Sequence, residues 1–220
     1  MKESSFEKSN GDLELWKTAN KIASYFGFVN QPQVISNACI SGVAGCVVGK
    51  RLIDSDLYDN VVVVGADVLS RFIVSGFQSF KSLSEQPCKP FDVARDGLSL
   101  GEGIGSIILT NNESLVTSPK IVLQNGAISN DANHISGPSR TGEGLQIAIT
   151  KTIGNNTDID IISAHGTATP YNDDMESKAI YNSGLGKVPV VSTKGYTGHT
   201  LGAAGIIEII IGVEAMKKIL

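Results

Sequence analysis

Leu13, Trp16, Ile22, Ala23 and Phe26 recur at roughly helical spacing, which predicts an amphipathic helix from about Asp12 to Tyr25. The stretch GFVNQP breaks that pattern, and Gln33 to Asn37 then reads as a short buried strand ending beside Cys39. The small-residue run SGVAGCVVGKRL suits a helix packed closely on its neighbours. Val61 to Val64 are four β-branched residues in succession, a buried strand closed by Gly65. Beyond it follows a loop-rich region, punctuated by Pro87 and Pro90, until GEGIGSIILT enters another strand.

The polar stretch from Asn111 to Pro119 marks a boundary between two halves, residues 1–115 and 116–220. The second half opens with a strand, KIVLQNGAIS, and a glycine-bearing loop that holds His134. A helix over Glu143 to Ile153 follows, then a strand, IDIISAH, ending at His165. Pro170, with acidic residues at 173, 174 and 176, makes a good helix start, since anions favour the N-terminal end of the dipole. The chain closes in a helix from about Thr200 to Leu220. This alternation of strands and helices is the pattern of an α/β protein.

Three apolar segments each deliver a reactive side chain: QVISNAC ends at Cys39, IDIISAH at His165, and VPVVSTK at Lys194 with His199 just beyond. In α/β folds, chemistry collects outside the carboxyl ends of strands. Convergence of these groups implies one site built on a cysteine nucleophile. At a strand-to-helix turn, positive partial charge favours thiolate, so a lowered thiol pKa is expected at Cys39. Taken singly, each residue has a plainer reading: a free cysteine is commonly buried and inert, and core histidines are commonly hydrogen-bonded fillers. Cys46 and Cys88 read as such fillers, and His134 as a loop residue at the mouth of the site. Three N and S donors are also a zinc-like set, but their scatter along the chain lacks ligand spacing. GEGIG precedes an apolar strand instead of opening a helix, so no dinucleotide site is expected.

Composition narrows the class further. The net charge of −4 argues against nucleic acid as a main partner. Three cysteines without CxxC spacing exclude a disulfide framework and point to a reducing, cytoplasmic setting. The polar, mixed-charge start is no secretory signal, and the apolar stretch from Gly205 to Val213, interrupted by Glu208, is too short for a membrane span.

NACISG around Cys39, KPFDVARDGLSLGEGIG from Lys89, ISAHGTATPYNDDMES from Ile162 and STKGYTGHTLGAAG from Ser192 together resemble the β-ketoacyl-acyl carrier protein synthases. The resemblance implies a thiolase-like layered α/β fold of two related βαβ halves. It implies an acyltransferase that joins an acyl group to malonyl-acyl carrier protein, in fatty acid or polyketide synthesis. By that resemblance Cys39 is the nucleophile, His165 and His199 the paired histidines, and Lys194 and Glu208 a lysine with its carboxylate partner. Thr167 and Thr169 match residues that bind the phosphopantetheine arm of the carrier, and Phe91, Asp92, Arg95 and Asp96 a stretch beside the active site. No metal or separate cofactor is implied. The expected partners are an acyl carrier protein and a second subunit, as homodimer or as heterodimer with a related chain. Against the family pattern the chain is expected to be truncated at both ends, without the opening strands or the glycine-rich C-terminal loop. The alternatives are a non-catalytic subunit like a chain-length factor, an inactive fragment, a thiolase acting on coenzyme A thioesters, or a cysteine hydrolase.

Overall fold

The structure is a computed structural model that describes residues 14–133, 137–156 and 158–219. The chain divides at Ser36 into two compact units. The first carries helix α1 (Leu15–Tyr25), within the expected amphipathic stretch, with Asp12 and Leu13 outside the described residues. It is followed by Phe26, whose ring meets those of Tyr25 and Phe28.

The second unit is built on strands β1 (Asn60–Asp67) and β2 (Gly103–Thr110), which pair antiparallel from Asn60↔Thr110 to Asp67↔Gly103. The side-chain period of two sends Val61, Val63 and Gly65 to one face with Leu109, Ile107 and Gly105 opposite them. Helix α2 (Ser41–Asp54) and helix α7 (Ala204–Ile219) both pack on the β1–β2 pair. Cys46, Val63 and Ile206 form the buried centre, surrounded by Val61, Ile107, Leu109, Ile209 and Ile210. Gly65 lies within β1 and does not close it. A Cβ there would stand 2.9 Å from Ile206 Cδ1, so the residue admits α7 while the strand runs on to Asp67.

Three expectations need correction. The stretch from 68 to 102 is not all loop: Arg71–Ser79 is an amphipathic helix, α3, capped by Ser70, whose Oγ accepts from Ile73 N at 3.2 Å. Conversely, residues 120–129 form no strand, and Asn37 makes only an isolated bridge to Cys39. A strand needs a paired neighbour, which β-rich composition cannot supply.

The remaining elements carry the second set of reactive residues. Helix α4 (Glu143–Ile153) falls where its pattern placed it. Strands β3 (Ile162–Ser163) and β4 (Val190–Val191) pair in parallel, only two residues long each. Helix α5 (Pro170–Ile180) starts with proline at its first position, and a single turn, α6 (Lys194–Thr197), precedes the turn of Leu201–Ala203 that leads into α7. The acidic start of α5 does more than complement a dipole. Asp173 accepts from Thr167 N at 3.0 Å and Phe91 N at 2.7 Å, and Glu176 from His165 N at 2.6 Å and Gly166 N at 2.8 Å.

Candidate active site

Cys39 stands on a tight turn before α2. Ala38 takes a positive φ of 46°, and Ser41 closes the turn by accepting from Asn37 N at 2.8 Å and donating to Ala38 O at 2.6 Å. The sulfur is half-buried, whereas Cys46 and Cys88 are buried. Burial pushes the Cys46 thiol up to about 11, and Cys88 Sγ is engaged by the backbone oxygen of Lys194 at 3.1 Å, which fits both as structural residues.

His165 follows β3 on a loop held by Glu176. Gly166 beside it has a positive φ of 45°, and a Cβ there would lie 2.6 Å from Ser192 Cβ, so only glycine lets the loop sit against β4's end. His199 is held through its backbone, donating to Ser99 O at 2.7 Å and accepting from Gly101 N at 3.1 Å. These bonds bring a residue of the second half against the segment entering β2.

The three groups converge. Cys39 Sγ and His199 Nε2 are 2.9 Å apart, and the rings of His165 and His199 meet edge to face with centroids 5.1 Å apart. Phe77 of α3 contributes another edge-to-face contact to His199, at 6.4 Å. Lys194 lies behind them, 1% exposed, its Nζ donating to His165 O at 2.6 Å and pairing with Glu208 Oε1 at 2.5 Å. Thr167 and Thr169 share a hydroxyl hydrogen bond of 2.9 Å on the loop beyond His165. Thus Cys39, His165, His199, Lys194 and Glu208 form one cluster, with the threonines adjoining it. His134 lies outside the described residues.

The electrostatics are those of an uncharged pair of imidazoles. Burial, then Lys194, lowers His199 to about 4, and the same causes, with His199 added, hold His165 well below its ordinary value. The expected lowering at Cys39 is not what prevails. Burial raises its pKa, partly opposed by Lys194 and by the residue's own backbone N–H, while Asp67 adds to the rise. The turn places Cys39 just before the helix, so desolvation outweighs the dipole. His199 Nδ1 is buried with no hydrogen-bond partner among the described residues. An unpaired buried N–H is rarer and costlier than an unpaired lone pair, so the ring proton belongs on Nε2, aimed at the sulfur.

The donor atoms of Cys39, His165 and His199 lie within 4.8 Å of one another, close enough to ask whether they hold a metal. Two features oppose it. A ligating histidine normally donates its second N–H to a partner, which His199 Nδ1 lacks, and the Lys194 ammonium repels a cation. The site suits acyl transfer instead: a nucleophilic sulfur, a ring donor beside it and a second neutral ring facing the same space.

Sequence reasoning overlooked Asp67 and Phe77 as parts of this site, and read Asp173 and Glu176 only as helix-start charges. Carboxylates that serve backbone amides leave no spacing signature. Asp67, at the end of a strand of valines, was the one exception open to notice.

The framework that carries this thiol and the two histidines is a thiolase-like α/β fold, as comparison with known proteins shows. The model of the β-ketoacyl synthase N-terminal domain matches residues 10–114, and that of the C-terminal domain residues 121–220. The chain belongs to the β-ketoacyl synthase family. The mitochondrial 3-oxoacyl-[acyl-carrier-protein] synthase of Arabidopsis thaliana is 31% identical over 215 residues, 89% of this chain and 47% of that protein. A ketosynthase of Xenorhabdus doucetiae, solved in complex with its chain length factor, is 36% identical with a TM-score of 0.78, over 90% of this chain and 49% of that one. A ketosynthase bound to a hexaketide, in complex with its type II polyketide acyl-carrier protein, is 25% identical with a TM-score of 0.85, over 93% of this chain and 55% of that one. The chain spans about half the length of the curated relatives it matches.

Proposed function

We propose that this chain carries the condensing centre of a 3-oxoacyl-acyl carrier protein synthase. Cys39 sulfur attacks the carbonyl of an acyl thioester, the donor thiol leaves with the proton, and the acyl group stays as a thioester on Cys39. Malonyl-acyl carrier protein then loses carbon dioxide. The resulting enolate carbon attacks the Cys39 thioester, forming the carbon–carbon bond and returning the thiolate as 3-oxoacyl-carrier protein departs. His199, with its proton on Nε2, and His165 stand where negative charge develops on the thioester and enolate oxygens. Lys194, held by Glu208, keeps both rings neutral, and Thr167 and Thr169 line the approach of the phosphopantetheine arm. The chemistry asks for no cofactor beyond that arm.

The observation that carries this reading is the 2.9 Å approach of Cys39 Sγ to His199 Nε2 with the His165 ring alongside. It also weighs against a non-catalytic subunit of the chain-length-factor kind, which has no use for an intact trio. The relatives solved with an acyl-carrier protein and with a chain length factor support the same two kinds of partner here, a carrier and a related subunit. No helix among the described residues is long and apolar enough to cross a membrane, which accords with a cytoplasmic enzyme meeting a carrier protein.

The test is acylation. Incubated with an acyl-pantetheine thioester and digested, the protein should show the acyl mass on the Cys39 peptide, and Cys39→Ser should abolish it. Acyl mass only on Cys46 or Cys88 overturns the assignment.

A further inference from the structure

Asp67 is the last residue of β1, and its Oδ2 accepts from Gly202 N at 2.8 Å. Gly202 lies three residues beyond His199 and is wedged against the Cys39 turn. A Cβ on it would stand 2.9 Å from Asp67 Oδ2, 3.6 Å from Ser41 Cβ and 3.8 Å from Ala38 O. Its carbonyl in turn abuts α2, 2.9 Å from where a Cβ on Gly42 would sit. One carboxylate therefore joins the sheet to the turn that presents His199, at the place where that turn meets the nucleophile's own. On this geometry we propose that Asp67 is a positioning residue: it clamps the His199 turn onto the Cys39 turn through Gly202 and sets the charge beside the sulfur.

Among the described residues, few charged groups act on the sulfur. Lys194 of α6 is the cation, with Glu208 of α7 paired behind it. The imidazoles of His165 and His199 are neutral, and Asp67 of β1 is the anion. The basic residues of α2, Lys50 and Arg51, lie at the far end of that helix. Asp67 thus works against ionisation of Cys39, and Lys194 for it. Burial is the larger influence, and a clamp with this charge adds to it in holding the resting thiol protonated. The inference rests on Cys39 being the nucleophile, but its test does not depend on condensation.

Asp67→Asn keeps an oxygen able to accept from Gly202 and removes only the charge. Asp67→Ala removes both. The rate of Cys39 alkylation by iodoacetamide, read on its peptide by mass spectrometry from pH 6 to 10, reports the thiolate. For Asp67→Asn the profile should move to lower pH, with alkylation at pH 7 about two- to fivefold faster than wild type, because a lost like charge raises the thiolate fraction while nucleophilicity falls. Amide hydrogen exchange over residues 200–206 should stay at the wild-type level in Asp67→Asn and speed up in Asp67→Ala. An unmoved alkylation profile in Asp67→Asn, or unchanged exchange in Asp67→Ala, overturns the proposal. Failure of wild-type Cys39 to accept an acyl group would instead count against the condensing function and leave these two readouts intact.

Discussion

Lys194 Nζ donates to the backbone oxygen of His165 at 2.6 Å while Glu208 holds the same nitrogen from α7. A single buried cation thus fixes the loop of one active-site ring and, after burial itself, supplies the largest force keeping both rings uncharged. Replacing Lys194 with Met should strip partners from Glu208 and from the His165 carbonyl together. Breaking a buried ion pair from one side costs about 3–5 kcal/mol, and the lower end is expected because Glu208 keeps part of its side chain in water. Urea unfolding should recover part of that loss in Lys194→Met combined with Glu208→Gln. If the double variant is no better than the single, the pair is not what the lysine contributes. His199 should also titrate at higher pH in Lys194→Met, read by NMR of the ring protons.

Stability should depend on pH through His199. Its folded value of about 4 lies below the ordinary 6.5, so between these the unfolded chain binds more protons than the folded one. Stability from this group therefore rises with pH across that window, is complete above it, and is lost as pH falls through about 4. The difference corresponds to about 3 kcal/mol. Glu176 and Glu208, whose carboxyls burial raises, act oppositely: there the folded state retains protons that the unfolded state has released. The wild-type advantage over His199→Asn, measured by urea unfolding at steps from pH 4 to 7.5, separates the histidine from them. That advantage should grow toward neutrality; a constant gap contradicts the buried neutral ring.

The reactive residues were legible because each follows an apolar run and has glycine or serine close by, a pattern that short-range sequence displays. The strands leading to them were legible in direction but not in extent. IDIISAH and VPVVSTK contribute two paired residues each, and QVISN only a bridge, because pairing depends on what lies alongside. Helix α3 was hidden by its setting: RFIVSGFQS contains glycine and β-branched residues that weaken helix propensity, and the Ser70 cap alone marks its start. Glu208 was legible as the partner of Lys194, but the carboxylates that serve backbone amides were far less so. Glu176 looks like one more charge at a helix start, and only the fold reveals that both of its oxygens face amides.

Those two amides make Glu176 a sensitive position. It is 5% exposed and accepts from His165 N and Gly166 N, one with each oxygen. Glu176→Gln keeps the shape but turns one acceptor into an NH₂ group facing an N–H. Leaving a buried donor unsatisfied costs about 1–3 kcal/mol. Thermal unfolding should report a loss of that size, and malonyl decarboxylation should slow as the His165 loop loosens. A Glu176→Gln protein as stable as wild type would mean that the loop is held by other means.

The two histidines should separate kinetically. His199 touches the sulfur at 2.9 Å, whereas His165 meets the His199 ring edge to face and keeps a ring nitrogen within 4.8 Å of the sulfur. His199→Ala should slow both acyl loading and condensation, and His165→Ala should spare loading while impairing malonyl decarboxylation. Removing a donor at a developing oxyanion costs about 100- to 1000-fold in rate. Single-turnover acylation and carbon dioxide release, measured separately, check the division; equal losses in both steps for His165→Ala contradict it.

Gly42 offers a test of how the nucleophile's helix is seated. It lies in the first turn of α2, where a Cβ would meet the Gly202 oxygen and Ile206 N at 2.9 Å each and Ile206 Cγ1 at 3.0 Å. Two of those atoms are backbone of the turn and helix that follow His199, so they cannot step aside as a side chain tip does. Helix propensity alone would make Gly42→Ala stabilising by about 1 kcal/mol. Overpacking a tight contact costs about 1–3 kcal/mol, and with backbone on the receiving side the steric cost should prevail. The matched control is Gly76→Ala on α3, where a Cβ meets nothing within 4 Å and the propensity gain should appear unopposed. Opposite signs of the two stability changes are expected, together with slower Cys39 acylation in Gly42→Ala as the α2–α7 spacing widens. Stabilisation by both substitutions would show that the helices do not meet as closely as the 2.9 Å approach demands.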